Sequence, residues 1–141
     1  MITQITLSAR QHDLLRRSFG TIARDYQEMT LLFFDKLFEL DPSLRLLLGR
    51  DIEEHRRKFA HSLALVIRML DEPALLHDYL QELSQRYRRL GIEDQDYKAF
   101  GAALQWAVSQ SLQGGFTPEA AGAWRALSDL AEAEMTSRQF A

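Results

Sequence analysis

The chain has 141 residues, of which 46% are apolar, 10% aromatic and 26% charged, a balance that suits one compact domain with its own core and excludes a disordered polymer. It contains no cysteine, which excludes disulfides, thiolate nucleophiles, Cys-ligated zinc and iron–sulfur clusters. A formal net charge of -3 provides no basic field for nucleic acid, and no run reaches the roughly 18 apolar residues of a membrane span.

Arg10, His12, Asp13, Arg16 and Arg17 leave no apolar signal-peptide core in the first twenty residues. A cytoplasmic protein is expected, without a nucleic-acid or membrane partner. Apolar residues recur at three and four positions throughout, and alternating β-branched runs are missing, so the predicted class is all-α.

A first helix begins at Ser8, where Ser8 and Gln11 form the S-x-x-Q pattern of a capping box; it should bury Leu14, Leu15, Phe19 and Ile22. A second runs from about Asp25 to Leu40 with Tyr26, Phe33, Phe34 and Leu37 on one stripe. Leu31 and Phe38 widen that stripe, which predicts a central helix. Asp41-Pro42 stops it, and residues 42–48 form a short helical connector. Asp51 and Glu54 make another capping signature, opening a helix to about Leu70 that buries Phe59, Leu63, Val66, Ile67 and Leu70.

After the break at Asp71-Glu72-Pro73 a helix extends to about Leu90, and Gly91 supplies a left-handed cap. The next spans about Asp94 to Leu112, with Tyr97, Phe100, Leu104 and Val108 inward, and Gly114-Gly115 is expected to end it. Thr117-Pro118 caps a last helix that carries Trp124, Leu127, Ala131 and Met135. No linker, repeat or low-complexity tract interrupts the series.

Four strings stand out in this frame: Leu37-Phe38-Glu39-Leu40-Asp41-Pro42, then Asp51-Ile52-Glu53-Glu54-His55-Arg56-Arg57-Lys58, then Gly101-Ala102-Ala103-Leu104-Gln105-Trp106, and Phe116-Thr117-Pro118-Glu119 followed by Ala123-Trp124. Their order and the helix order resemble the globin family, in particular bacterial single-domain globins of the neuroglobin-like and flavohaemoglobin-head kind. The resemblance implies a single globin domain over residues 8–136, with short termini at 1–7 and 137–141, about seven helices around a central pocket, and haem b as cofactor.

The resemblance places Phe34, Leu48, His55, Lys58, Phe59, Leu83, Tyr87, Ile92 and Phe100 around that cofactor. His55 matches the distal histidine or glutamine position, and Phe59, Leu63 and Val66 follow it at helical spacing on one face. Phe34 matches the distal aromatic and Lys58 the position that often reaches a haem propionate. The proximal half departs from the family. In Leu83-Ser84-Gln85-Arg86-Tyr87-Arg88-Arg89-Leu90-Gly91 the iron-holding histidine is replaced by Tyr87, Leu48 stands where relatives carry a wedging phenylalanine, and Ser128 where many carry a tyrosine.

Two readings of Tyr87 stand side by side. As an iron ligand beside or instead of His55 it must become phenolate, which at pH 7 costs about 4 kcal/mol against a free phenol's pKa near 10. Ferric iron can supply that by coordination, whereas ferrous iron supplies much less, so reversible oxygen carriage is argued against. As a core aromatic it fills space once given to haem. Its same-face neighbours are Leu83 and Leu90, and Arg86 and Arg88 should lie largely in solvent.

Two functions follow. One is a haem protein with non-standard ligation by His55, Tyr87 or both, acting in ligand sensing or redox chemistry on a small diatomic or anionic ligand. The other is a haem-free sensor or interaction module whose pocket has collapsed or been repurposed, because an empty haem site of several hundred Å3 far exceeds what packed interiors leave void. His12, His61 and His77 read as surface or boundary residues. The clusters Arg10/Arg16/Arg17, Arg56-Arg57-Lys58 and Arg86/Arg88/Arg89 read as solvated helix faces. No metal cluster, phosphate loop or nucleophile elbow is visible.

Overall fold

A computed structural model describes residues 6–137. Seven α-helices account for most of it: α1 Ala9–Ile22, α2 Tyr26–Leu40, α3 Leu44–Leu48, α4 Ile52–Arg68, α5 Pro73–Arg89, α6 Tyr97–Leu112 and α7 Pro118–Thr136, and no strand occurs among the described residues. None of these helices is long and apolar enough to cross a membrane.

Side-chain caps fix three of the seven helix starts. Ser8 Oγ accepts from Gln11 N at 3.1 Å while Ser8 N donates to Gln11 Oε1 at 2.8 Å, so both halves of the capping box are made. Asp25 accepts from Glu28 N at the head of α2, and Thr117 from Ala120 N at the head of α7, where Pro118 takes the first turn.

Two expectations about helix ends are corrected. Asp51 stands at the α4 N-cap without a side-chain cap bond; Glu53 and Glu54 in the first turn supply negative charge to the helix dipole instead. At the end of α6 the positive φ falls on Gln113 (48°) and not on a glycine. Gly114 and Gly115 sit within a 3-10 turn that continues the helix.

The core forms where α2 crosses α6, the most extensive helix pairing. Met29, Phe33 and Leu37 from α2 and Ala103, Ala107 and Val108 from α6 are completely buried there. Tyr26 and Leu31 depart from the predicted stripe, being 45% and 48% exposed. Around the first turn of α2 the neighbour is the Arg56 guanidinium, which donates to Gln27 O at 2.7 Å and Thr30 Oγ1 at 3.3 Å. Leu31 lies about 160° around the helix from Phe33, past the edge of the buried stripe.

Polar pins hold the outer helices. Trp124, fully buried on α7, donates its indole N–H to Ser18 Oγ on α1 at 2.8 Å, and Ser18 in turn donates to Leu14 O. Ser84 Oγ on α5 donates to Met135 O on α7 at 2.7 Å. Tyr79 Oη on α5 donates to Ser62 Oγ on α4 at 2.9 Å.

Candidate functional site

The end of α5 is built to a fixed pattern. Gly91, at φ 98°, lets Gly91 N reach Arg88 O and Ile92 N reach Tyr87 O, each at 3.0 Å. These are the paired bonds of a Schellman cap, and the second consumes the carbonyl of Tyr87 and fixes that residue in the last turn. Ile92 is 1% exposed. It belongs to this cap and lines neither cavity described below.

From that position Tyr87 lines an outer cavity of about 160 Å3. Phe34 from α2, Leu48 from α3, His55, Lys58 and Phe59 from α4, Leu83 from α5 and Phe100 from α6 line it as well. Ser62, Arg86 and Leu90 complete the wall. Leu83 and Leu90 therefore share a face with Tyr87, as helical spacing requires. Arg86 is solvent-exposed yet reaches the cavity, because a long guanidinium side chain can turn back across a helix face that its Cα does not face. Arg88 also bends back, donating to Ser84 Oγ at 3.1 Å. The i,i+4 spacing allows the Arg88–Ser84 contact, but sequence spacing carried no signal for Arg86 at the cavity.

A second cavity of about 110 Å3, almost wholly apolar and no more enclosed than the first, adjoins this wall and is called the inner one. Leu63, Val66, Leu80, Tyr97, Leu104, Leu127 and Met135 line it with Ser128 and Glu132, and Phe59, Ser62, Leu83, Tyr87 and Phe100 line both cavities. The shared lining is largely aromatic: Phe59 stacks on Phe33 at 4.0 Å between centroids, Phe34 meets Phe59 edge-on at 5.9 Å, and Tyr87 lies 5.6 Å from Phe100. Room appears at both substituted positions, Leu48 on the outer cavity and Ser128 on the inner. Ser128 Oγ is buried without a hydrogen-bond partner among the described residues.

Two polar groups face each other's helices without hydrogen-bond partners among the described residues: the His55 imidazole and the Tyr87 hydroxyl. Partial burial and then Lys58 hold His55 below the usual histidine value, so the neutral ring is favoured near pH 7. Burial pushes the Tyr87 phenol well above its ordinary value, with Tyr79 and Tyr97 adding to the effect, so the O–H form is favoured. Lys58 is more than half exposed and lies 3.9 Å from Glu54.

The other histidines lie elsewhere. His12 pairs with Asp71 at 3.0 Å, His77 contacts Glu134, and His61 is exposed. No group of three or more metal-ligating side chains occurs among the described residues. Two of the three basic runs are paired with acids: Arg56 with Glu53, Arg57 with Glu54, Arg10 with Glu119 and Arg16 with Asp71.

A helical sandwich closed around a cavity between α4 and α5 defines a class of fold, and comparison with known proteins identifies it. The globin family profile matches residues 31–135; the chain belongs to the globin family. Neuroglobins of Danio rerio and Tetraodon nigroviridis are each 24% identical over 144 aligned residues, covering 92% of this chain and 91% of the relative. A hexacoordinated haem protein from an anhydrobiotic tardigrade superposes with a TM-score of 0.85 at 15% identity, over 93% of this chain and 94% of the other.

Proposed function

We propose that this chain is a haem-binding globin in which His55 is the strong iron ligand and α5 contributes no histidine. One observation carries the reading. His55 from α4 and Tyr87 from α5, each without a hydrogen-bond partner among the described residues, line one cavity of mixed polarity together with Lys58 and Arg86. A neutral imidazole has a lone pair ready for iron, and the two cations suit the two carboxylates of haem b. When bound, haem would supply a redox-active iron able to take a small ligand.

The donor set fits haem; the volume fits only after a change. A cofactor pocket measures roughly 300 Å3 or more, so the Phe59 ring that lines both cavities has to leave its stack on Phe33. Tyr87, partly buried and with its phenol raised above the ordinary value, stays in the O–H form. Without the usual α5 histidine, ligand sensing or redox chemistry is favoured over reversible oxygen carriage. The membership in a family that includes neuroglobins, and the likeness to a hexacoordinated haem protein, support the same reading.

The test is the absorption spectrum of protein purified from haem-supplied cells, before and after dithionite. A stoichiometric Soret band that shifts in His55→Ala supports the proposal. A second reading, a haem-free globin module, draws on the Phe33–Phe59 stack and the two small cavities. It is supported instead by a folded helical protein that shows no Soret band and takes up no added haemin.

A further inference from the structure

We infer that the corner where α3 meets the end of α5 is a docking surface for an anionic lipid bilayer, held by uncompensated arginines and two exposed leucines. The inference is independent of the haem reading.

Charge is the first observation. Arg45 and Arg50 belong to α3 and its exit, and Arg86, Arg88 and Arg89 to the last turn of α5. None of these arginines forms an ion pair among the described residues: Arg45 lies 5.0 Å from the Phe38 ring, and Arg88 donates to Ser84 Oγ. The arginines of α1 and of the head of α4 are instead matched to Asp13, Asp71, Glu53 and Glu54. Arg24, Arg68 and Arg125 are unpaired as well, but each stands singly in the sequence. Of the acids next to the corner, Glu93 and Asp96 are engaged in the cap of the following turn, and Asp51 and Asp94 offset only part of the cation excess. A net charge of -3 for the whole chain therefore conceals a local positive field.

Placement is the second. The two segments touch, since a Cβ on Gly91 would stand 3.2 Å from Leu47, and Leu48, Arg86 and Leu90 line the same outer cavity. In α3 the buried Leu44 and Leu48 are one helical turn apart, so Leu46, about 200° around the helix from each, turns away from the core. Leu46 is 86% exposed, more than any other large apolar side chain described, and Leu90 is 39% exposed.

The occupant follows from what the corner lacks. Protein hot spots are built on packed aromatic anchors, and single-stranded nucleic acid needs aromatic platforms for its bases. The exposed aromatics, Tyr26 and Trp106, lie on α2 and α6, and the exposed large apolar residues of this corner are leucines. A bilayer asks only for apolar side chains that reach the acyl boundary between cations that hold the lipid phosphates. No described helix crosses a membrane; the contact lies in the headgroup layer.

The experiment sediments the full-length protein with sucrose-loaded vesicles, either an equal mixture of phosphatidylglycerol and phosphatidylcholine or phosphatidylcholine alone. Binding is expected to the mixture only and to weaken as salt is raised. Arg50→Gln and Arg89→Gln should each lower the partition coefficient about fivefold, and Leu46→Ser about tenfold. Leu75→Ser, which removes another half-exposed leucine at the far end of α5, should leave it unchanged. All these positions are exposed, and the far-UV spectrum of each variant checks that the fold is kept. No sedimentation with the anionic vesicles overturns the inference, as does a Leu75→Ser loss equal to that of Leu46→Ser. Retention on single-stranded DNA or on poly-L-glutamate without retention on the vesicles would overturn it too, assigning the corner to nucleic acid or to an acidic protein.

Discussion

Phe33 and Phe59 stack across α2 and α4 with ring centroids 4.0 Å apart and planes within 13° of parallel. Phe59 lines both the outer and inner cavities, and Phe33, which lines neither, backs it. An offset or parallel aromatic pair contributes about 0.5–1.5 kcal/mol beyond its buried area. Phe59→Leu is therefore expected to destabilise the haem-free protein by about 1–2 kcal/mol and to accelerate haemin uptake, because the stack is lost. A urea midpoint and a haemin-binding time course measure the two effects. Slower uptake in the variant would mean that Phe59 is a wall the cofactor needs and not an obstacle to it.

The Trp124 indole N–H ends on Ser18 Oγ, joining the last helix to the first. Both atoms are buried, so removing the hydroxyl leaves a donor that water cannot reach. Ser18→Ala should cost about 1–3 kcal/mol, seen as a lower urea midpoint with unchanged slope. Ser18→Thr keeps the oxygen and should recover most of the loss. If Ser18→Ala unfolds at the wild-type midpoint, the indole has found another acceptor.

Gly91 has two reasons to be glycine. Its φ of 98° is disfavoured for any side chain, and a Cβ there would stand 3.2 Å from Leu47 Cδ2 on α3. Gly91→Ala should cost at least about 1–2 kcal/mol. It should also loosen the last turn of α5, because the Ile92 N to Tyr87 O bond depends on the cap. Amide hydrogen exchange at Ile92 reports that loosening directly, and unchanged protection there would rule out the coupling between cap and Tyr87.

How far these features were visible in the sequence depended on the range of the interaction. Ser8 with Gln11, Thr117-Pro118 and Gly91 are local devices, and each forms as its spacing requires. Asp51 carried the same local signature, yet its side chain makes no cap bond, and the positive φ fell on Gln113 instead of on a neighbouring glycine. Helical periodicity grouped Leu83, Tyr87 and Leu90, and the family pattern drew Phe34, Leu48, His55, Lys58, Phe59 and Phe100 to one cavity.

What was illegible depended on three-dimensional packing. Phe33 reads from sequence as one more core residue, and only the structure shows it stacked behind Phe59. Arg86 reads as solvated because spacing locates a Cα and not the end of a long side chain. Tyr26 and Leu31 fit a periodic stripe but lie where no apolar neighbour covers them.

Tyr87 also sets an alkaline limit on stability. Its phenol is held above the ordinary value by burial, so at pH values above about 10 the unfolded chain gives up this proton and the folded chain keeps it. The unfolded state then binds fewer protons, and stability falls as pH rises, by up to about 1.4 kcal/mol per pH unit from this one group. Below the unfolded value the contribution is fully present and independent of pH. Urea midpoints measured on either side of pH 10 should therefore decline more steeply in the wild type than in Tyr87→Phe. Equal slopes would show that the phenol ionises in the folded protein, which would reopen phenolate ligation by Tyr87 at high pH.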